Sequence, residues 1–163
     1  MHYDVIILGG GPVGLLITCL LKDQGFHVAC FDRQAEDSHL TNQRAVALSW
    51  GSLNHLDVLH MKESLLKEGA PINRIWITKE NGRSALDYEA HSWGHPMGVN
   101  VPMNYLRHLL YDKAKTHLHL NTTLTHLHNN NACWTVETSH HETHTARLLI
   151  GADGRTSWLR QQF

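Results

Sequence analysis

The chain has 163 residues, of which 42% are hydrophobic and 18% charged, and its net charge is −1 with histidine neutral. This composition is ordinary for a soluble globular protein, and it provides neither a basic surface for nucleic acid nor a Lys/Arg cluster for an anionic membrane. The uncharged run Val5–Leu21 is not a signal peptide or a membrane span, because Asp4 precedes it and Gly9–Pro12 would break a helix.

The first part of the chain predicts a βαβ unit. The expected elements are a buried strand at Tyr3–Leu8, a turn at Gly9–Gly11, a helix from Pro12 to about Gln24 and a strand at His27–Phe31. Pro12 suits the first turn of a helix, because its missing N–H would have no partner there. Gly25 is a natural stop for the same helix.

The middle of the chain predicts alternating helices and short strands. Leucines at Leu53, Leu56 and Leu59 have helical spacing, and Asn81-Gly82 is a strong hairpin signal. The expected elements are a loop at Ala35–Arg44, a helix from Ser49 (its cap) to about His60, a short helix ending near Gly69, strands at Ile72–Lys79, Ser84–Tyr88 and Val99–Val101, and a helix from Asn104 to about Thr116.

The last part predicts four more strands, at His117–Asn121, Leu124–His128, Cys133–Thr138 and Thr145–Ile150. The last three form an antiparallel meander, with Asn129–Asn131 as one of its turns. A glycine-rich segment follows, and a final helix is expected from Thr156. The order of elements predicts an α/β fold in one domain over residues 1–163.

Histidine is unusually frequent, with fifteen residues in all. The segment from His117 to His144 contains pairs with spacings that could bind zinc. However, these pairs lie in polar, Asn/Thr-rich sequence rather than on a rigid frame of ligands. We therefore expect no metal site, and we expect these histidines on the solvated face of a small sheet.

The three cysteines are Cys19, Cys30 and Cys133, and no CxxC pair occurs. Each cysteine lies in an apolar run, which is typical of a buried, reduced thiol. Reduced thiols indicate a cytoplasmic protein.

Gly9-x-Gly11-x-x-Gly14 is typical of a dinucleotide-binding turn, because a strand precedes it and a helix follows it. Gly9 allows the turn, Gly11 lets the backbone approach a pyrophosphate, and Gly14 lets the helix pack against the strand. The helix begins at Pro12 and Val13, and the free N–H groups of its first turn, to which Pro12 contributes none, then face the phosphates.

Asp32 ends the second strand, where a carboxylate can accept hydrogen bonds from the ribose hydroxyls of an adenosine. It would repel a 2′-phosphate, so it argues against NADP at this site. Asp32 does not distinguish FAD from NAD, and the adjacent Arg33 is a further candidate for cofactor binding. A glycine turn without any ligand remains the alternative.

The segment Ile150–Ser157, sequence IGADGRTS, resembles the Asp-Gly motif of class A flavin monooxygenases of the p-hydroxybenzoate hydroxylase type. Gln43–Ser49, sequence QRAVALS, is similar to a stretch of the ubiquinone-biosynthesis hydroxylases. The resemblance covers nearly the whole chain. It implies a Rossmann-like FAD-binding domain with three layers, a parallel sheet with helices and a small antiparallel β-meander.

The resemblance also implies further site residues. Arg44 would contact the FAD pyrophosphate, which fits the bidentate geometry of a guanidinium on phosphate oxygens. Asp153 and Gly154 would position the flavin ribose and pyrophosphate, and Arg160 would line the approach of the nicotinamide cofactor. No catalytic side chain can be assigned.

By the same resemblance, the intact enzyme would hydroxylate a phenolic or aromatic substrate, prenylated in the ubiquinone pathway, with NAD(P)H and O2. The family's second glycine-aspartate motif and its substrate sheet would fall beyond Phe163. We therefore expect the chain to be the N-terminal part of an enzyme that needs a C-terminal half or a partner chain. Weak peripheral membrane association is compatible with a prenylated substrate. The alternatives are a module that binds FAD or ADP without turnover, and an NAD-dependent dehydrogenase domain, which fits the first motif but not the second.

Overall fold

The structure is a computed structural model that describes residues 1–35, 44–79, 84–90, 94–130 and 132–163. Most of the predicted loop at Ala35–Arg44, residue Gln43, the Asn81-Gly82 turn and Asn131 lie outside the described residues. The chain divides into two compact units. The first comprises Met1–Asn42 and Arg107–Phe163, and the second comprises Gln43–Leu106.

The strands are, in chain order, β1 His2–Leu8, β2 Val28–Phe31, β3 Ala45–Ser49, β4 Ala70–Ile72, β5 Arg74–Thr78, β6 Ser84–Glu89, β7 Gly98–Pro102, β8 Leu118–His119, β9 Leu124–Asn129, β10 Trp134–Thr138 and β11 Thr143–Gly151. The α-helices are α1 Pro12–Asp23, α2 Trp50–Asp57, α3 Lys62–Glu68 and α4 Met103–Ala114, and 3-10 helices cover Lys115–His117 and Leu159–Gln162.

The first unit contains a six-stranded sheet in the order β8-β2-β1-β11-β10-β9. β1 pairs in parallel with both β2 and β11, and β8 is parallel to β2. β9, β10 and β11 pair antiparallel with their neighbours. The α/β prediction, with a parallel sheet and an antiparallel meander, is therefore confirmed. Because β11 belongs to both parts, the meander continues the parallel sheet instead of forming a separate one.

Branched apolar side chains explain why β1 and β2 lie at the centre of this sheet. All four residues of β2 are buried, as are the last four of β1. One cluster comprises Val5, Ile7, Val28 and Cys30, with Ile17 and Leu21 of α1 packed against it. A second contains Ile6, Leu8, Ala29, Phe31, Leu124, Val136, Ala146 and Leu159.

Helix α1 begins and ends where the sequence predicts. Gly11 is the N-cap and Pro12 occupies the first turn, so the proline costs the helix no hydrogen bond. At the other end Gly25 has a φ of +82°, a conformation that favours glycine and stops the helix.

The second unit contains a three-stranded sheet in the order β3-β7-β4 and the two-stranded pair β5–β6. The Ser49 side chain caps α2 by accepting the amide hydrogen of Ser52 at 3.1 Å, as predicted. The single strand predicted at Ile72–Lys79 is wrong. The chain breaks at Asn73, because Ile72 pairs with Gly98 whereas Arg74 pairs with Glu89 of a different sheet.

Three further expectations for the first unit need correction. The strand predicted at His117–Asn121 is only two residues long, and the helix predicted from Thr156 is a 3-10 turn at Leu159–Gln162. His144, which was expected on a solvated face, is only 3% exposed. Its strand partner Val136 is also buried, so this part of the meander belongs to the core.

No helix in the described part of the chain is long and apolar enough to cross a membrane.

Candidate functional site

A cavity of about 360 Å³ lies in the first unit, at the carboxyl ends of β1, β2 and β11. This edge of a parallel sheet is where open α/β folds bind ligands. The cavity is lined by Leu8, Gly9, Gly11, Phe31, Asp32, Arg33, Gln34, Arg107, Thr122, Thr123, Leu124, Ala152, Asp153, Gly154, Thr156 and Trp158. Two motifs that are far apart in the sequence therefore meet at one site.

The glycines of the first turn have different surroundings. A Cβ on Gly9 would collide with the carbonyl oxygen of Ala152, and Gly9 has a φ of +102°. A Cβ on Gly14 would collide with the carbonyl oxygen of Gly9. At Gly11, by contrast, a Cβ would meet no protein atom within 4 Å. The fold itself requires Gly9 and Gly14, whereas Gly11 leaves space that only a ligand would need.

Helix α1 directs its N-terminus at this space. Gly11 is the N-cap and has no side chain with which to accept an amide hydrogen of the first turn. Pro12 follows, and the side chain of Val13 is 62% exposed. Free amide groups and the positive end of the helix dipole make this end of α1 suitable for an anion.

Asp32 is held by the backbone on both of its carboxylate oxygens. Oδ2 accepts the amide hydrogen of Gly10 at 2.6 Å, and Oδ1 accepts that of Gln34 at 2.8 Å. The residue is only 8% exposed but lines the cavity. A carboxylate has about four acceptor positions, so two remain for ligand hydroxyl groups.

Arg107 places a cation at the same turn, and sequence reasoning missed it. The residue is 9% exposed, and its Nη2 donates to the carbonyl oxygen of Gly10 at 3.1 Å. Burial lowers the pKa of Arg107, while the charge of Asp32 acts in the opposite direction. The only signal in the sequence is an arginine between the apolar positions Leu106 and Leu110 of an amphipathic helix.

The second motif forms a tight loop beside the cavity. Oδ2 of Asp153 accepts the amide hydrogen of Leu159 at 3.1 Å. Burial alone would raise the pKa of Asp153, but hydrogen bonds from Ser157 and from the backbone of Leu159 outweigh burial and lower it. Gly154 has a φ of +85°. Asp153 therefore holds its own loop together while it lines the cavity.

The two other arginines from the resemblance are not among the residues that line this cavity. Arg44 belongs to the second unit, where its carbonyl oxygen accepts the amide hydrogen of Met103 at 2.8 Å. Arg160 is in the first unit, and its Nη2 donates to the carbonyl oxygen of Arg155 at 2.7 Å. Their predicted roles stay predictions.

Several other lining residues were not singled out in the sequence. Thr122, Thr123 and Leu124 follow β8, and Trp158 follows the Asp-Gly loop. These positions carry no motif, and only the pairing of β8 with β2 brings the first three to the cavity. The open glycine, the buried guanidinium and the carboxylate together fit a ligand that carries both phosphate and ribose.

Metal binding has no support among the residues that the structure describes. No group of three or more His, Cys, Asp or Glu side chains lies close enough together there to hold an ion. The three cysteines are all free, with Cys19 and Cys30 buried and Cys133 half-buried.

Comparison with known proteins gives a consistent result. A family model described as "FAD binding domain" matches residues 2–163. Ubiquinone hydroxylase UbiL of Rhodospirillum rubrum is 29% identical over 166 residues, which cover 97% of this chain and 38% of that protein. The chain thus spans well under half of this relative's length.

Solved structures also resemble this chain. The p-nitrophenol 4-monooxygenase PnpA from Pseudomonas putida DLL-E4 superposes with a TM-score of 0.82 at 20% identity, over 98% of this chain and 43% of that one. The Diels-Alderase PyrE3 of pyrroindomycin biosynthesis superposes with a TM-score of 0.80 at 22% identity, over 97% of this chain and 34% of that one. At these identities the likeness establishes the fold alone.

Proposed function

Because this chain belongs to the family of FAD-binding domains, we propose that the cavity at the ends of β1, β2 and β11 binds the ADP half of FAD. One observation carries the proposal. Gly11, Asp32 and Arg107, which provide backbone access, a carboxylate and a cation, all line the same cavity. These are the groups that a pyrophosphate and a ribose require.

Different residues are proposed to contact the pyrophosphate and the adenosine of the ligand. Gly11, Pro12 and Val13 present the start of α1 to the pyrophosphate, and Arg107 supplies the buried positive charge beside it. Asp32 accepts hydrogen bonds from the adenosine ribose, and Arg33 lies next to the adenosine.

Residues of the second motif complete the proposed site. Asp153 and Gly154 border the ribose and pyrophosphate from the β11 side. The family resemblance further suggests Arg44 as a phosphate contact and Arg160 as a residue that lines the approach of the nicotinamide donor. Gly9 and Gly14 keep the turn in the shape that the other residues need.

We further propose that the chain serves an FAD-dependent aromatic-ring monooxygenase. Its substrate would be a phenolic ring of a ubiquinone precursor, and its electron donor NAD(P)H, in line with the similarity to UbiL. Bound FAD would supply the redox and oxygen chemistry, while this chain would bind and orient it. The described residues show no group that would act on the substrate.

Binding of FAD or ADP without turnover is the second candidate. The chain spans only 38% of UbiL, and PyrE3, described as a Diels-Alderase, has the same fold. A shared fold does not fix the reaction, so binding without turnover is compatible with this fold.

Substitution of Gly11 tests the proposed site. Gly11→Val places a Cβ that would meet no protein atom within 4 Å apart from its chain neighbours, and φ is −70°, so the fold should accept it. The side chain would occupy the pyrophosphate position, and calorimetric titration should show loss of binding for both ADP and FAD. Gly51→Val is the matched control, because a Cβ there would meet only Ser49 Oγ at 3.8 Å. Equal affinities for wild type, G11V and G51V would refute the proposed site.

A further inference from the structure

Two histidine rings pack against Phe31, the last residue of β2, which lines the cavity. The His119 ring stacks on Phe31, with centroids 4.6 Å apart and an interplanar angle of 21°. The His144 ring lies 5.2 Å from Phe31 and 6.0 Å from His119. We call these three rings the Phe31 cluster.

The titratable groups around the Phe31 cluster come from several elements. Tyr3 of β1 lies 5.9 Å from His144 and 6.4 Å from His119, and His27 lies 4.6 Å from Tyr3, all between ring centroids. Glu142 brings a carboxylate to these rings: its Oε2 is 3.3 Å from His144 Nε2, and its side chain is 59% exposed.

His144 is buried beside these rings. The residue is 3% exposed, and its Nδ1 has no hydrogen-bond partner among the described residues. Burial also lowers the pKa of His119, the nearby His144 lowers it further, and Glu142 acts in the opposite direction.

The backbone of His119 is tied to the proposed ribose-binding residue. The Asp32 amide donates to the carbonyl oxygen of His119 at 3.0 Å, and the Thr122 amide donates to the carbonyl oxygen of Asp32 at 2.9 Å. The Asn121 amide donates to the carbonyl oxygen of Gln34 at 3.1 Å. β8 itself is an edge strand that pairs with β2 through only two residue pairs.

We propose that His119 is a positioning residue for the nucleotide: while its ring is neutral, it packs on Phe31 and beside His144, holds β8 against β2 and keeps Asp32 and Phe31 in place. Protonation places positive charge in a buried ring cluster. Because a buried charge is unfavourable, the protonated His119 ring moves toward solvent. This movement separates β8 from the end of β2. This inference rests on the proposed function, since it concerns the same cavity.

The sign of the effect follows from linkage. A histidine whose folded pKa is lowered contributes stability above its unfolded pKa of about 6.5, and this stability is lost as the pH falls through the folded pKa. A ligand that needs the neutral cluster therefore binds more weakly at low pH. Reciprocally, binding lowers the pKa of His119 further.

General electrostatics would act in the opposite direction. The chain has fifteen histidines, so acidification makes it more positive, and an anionic dinucleotide should then bind more tightly. The pyrophosphate of FAD stays ionised between pH 5.5 and pH 7.5, so the ligand contributes no titration of its own. Weaker binding at the lower pH would consequently be specific to the Phe31 cluster.

The test compares FAD dissociation constants at these two pH values by flavin fluorescence. For the wild type we expect binding roughly tenfold weaker at pH 5.5 than at pH 7.5. His119→Phe keeps an aromatic ring on Phe31 but cannot take a proton, and the ratio should fall to about threefold or less. His126→Gln is the control, because His126 is an exposed histidine of β9 paired with Glu137. It should keep the wild-type ratio. An H119F variant that keeps the wild-type ratio would overturn the proposal.

Amide hydrogen exchange on the wild type without ligand makes the outcome independent of FAD binding. Protection factors of the Asp32, Asn121 and Thr122 amides should fall by about tenfold between pH 7.5 and pH 5.5, while that of Val136 in β10 should change little. If the protection factors of these three amides change as little between the two pH values as that of Val136, the positioning role is refuted. Failure of the wild type to bind FAD at pH 7.5 would instead refute the proposed function, with the exchange result still deciding the role of His119.

Discussion

The amide of Gly10 donates to the Asp32 carboxylate at 2.6 Å, so the glycine turn and the end of β2 are joined independently of any ligand. Asp32 therefore serves the fold as well as the proposed site. A Cβ on Gly10 would lie 2.7 Å from the same carboxylate oxygen, which explains why the position between the two motif glycines is also a glycine.

Asp32→Asn should destabilise the chain even without nucleotide. Asparagine has one acceptor oxygen, so its amide group would face the N–H of either Gly10 or Gln34, donor against donor. We expect the free energy of unfolding to fall by about 1 to 3 kcal/mol, measured by urea denaturation. Asp57→Asn, at an exposed position of α2, is the matched control and should change it by less than about 0.5 kcal/mol. Similar losses for D32N and D57N would contradict this structural role.

Asp32 should also discriminate against a 2′-phosphate. NAD and NADP differ only by that group, and two negative charges about 4 Å apart repel by about 1 to 4 kcal/mol, depending on the local dielectric. NADP should therefore displace a fluorescent adenosine probe more weakly than NAD does. Equal displacement by the two nucleotides would show that the ribose does not lie against Asp32.

Asp153 should stabilise the chain in a pH-dependent way. Its pKa is lowered in the folded state, so its contribution is present above the unfolded value of about 3.9 and is lost as the pH falls through the folded pKa. Asp153→Asn should lower the free energy of unfolding at pH 7 by about 1 kcal/mol. The difference between wild type and variant in urea titrations should shrink as the pH falls below about 3.9. A difference that stays unchanged through the acid unfolding range would assign the effect to packing instead of charge.

The cysteines should react with thiol reagents at very different rates. Burial raises the pKa of Cys19 to about 11 and that of Cys30 to about 12, so little thiolate forms at pH 8. Cys133 is half-buried and should react first with Ellman's reagent, the other two only after denaturation. Cys133→Ser should remove the fast phase. Three thiols reacting at one rate in the native protein would contradict the described burial.

The 163-residue chain alone should show no hydroxylase activity. It spans 38% of UbiL, so most of that relative's length has no counterpart in it. A flavin open to water should consume NAD(P)H without transferring oxygen to a phenol. Chromatography of the phenol after incubation with NAD(P)H should find no hydroxylated product, with a full-length flavin hydroxylase as positive control. Product formed in step with NAD(P)H oxidation would contradict this prediction.

Much of the first unit could be predicted because its signals are local. β1, the glycine turn, α1 and the end of β2 at Asp32 follow one another in a single βαβ unit, and each is marked by its own residue types. Prediction from the sequence failed where distant parts of the chain decide how a strand pairs or whether a side chain is buried. Ile72–Lys79 has the pattern of one strand, but its two halves pair with different sheets. His144 lies in polar sequence, yet its strand packs into the core.

The sequence by itself determined the glycine turn between β1 and α1 and the carboxylate at the end of β2. Only the tertiary structure decided which other groups share the cavity. Arg107 is 97 residues from the Gly10 carbonyl that it contacts, and His119 reaches Phe31 because β8 pairs with β2. Such long-range pairings depend on the order of strands in the sheet, which side-chain periodicity does not encode.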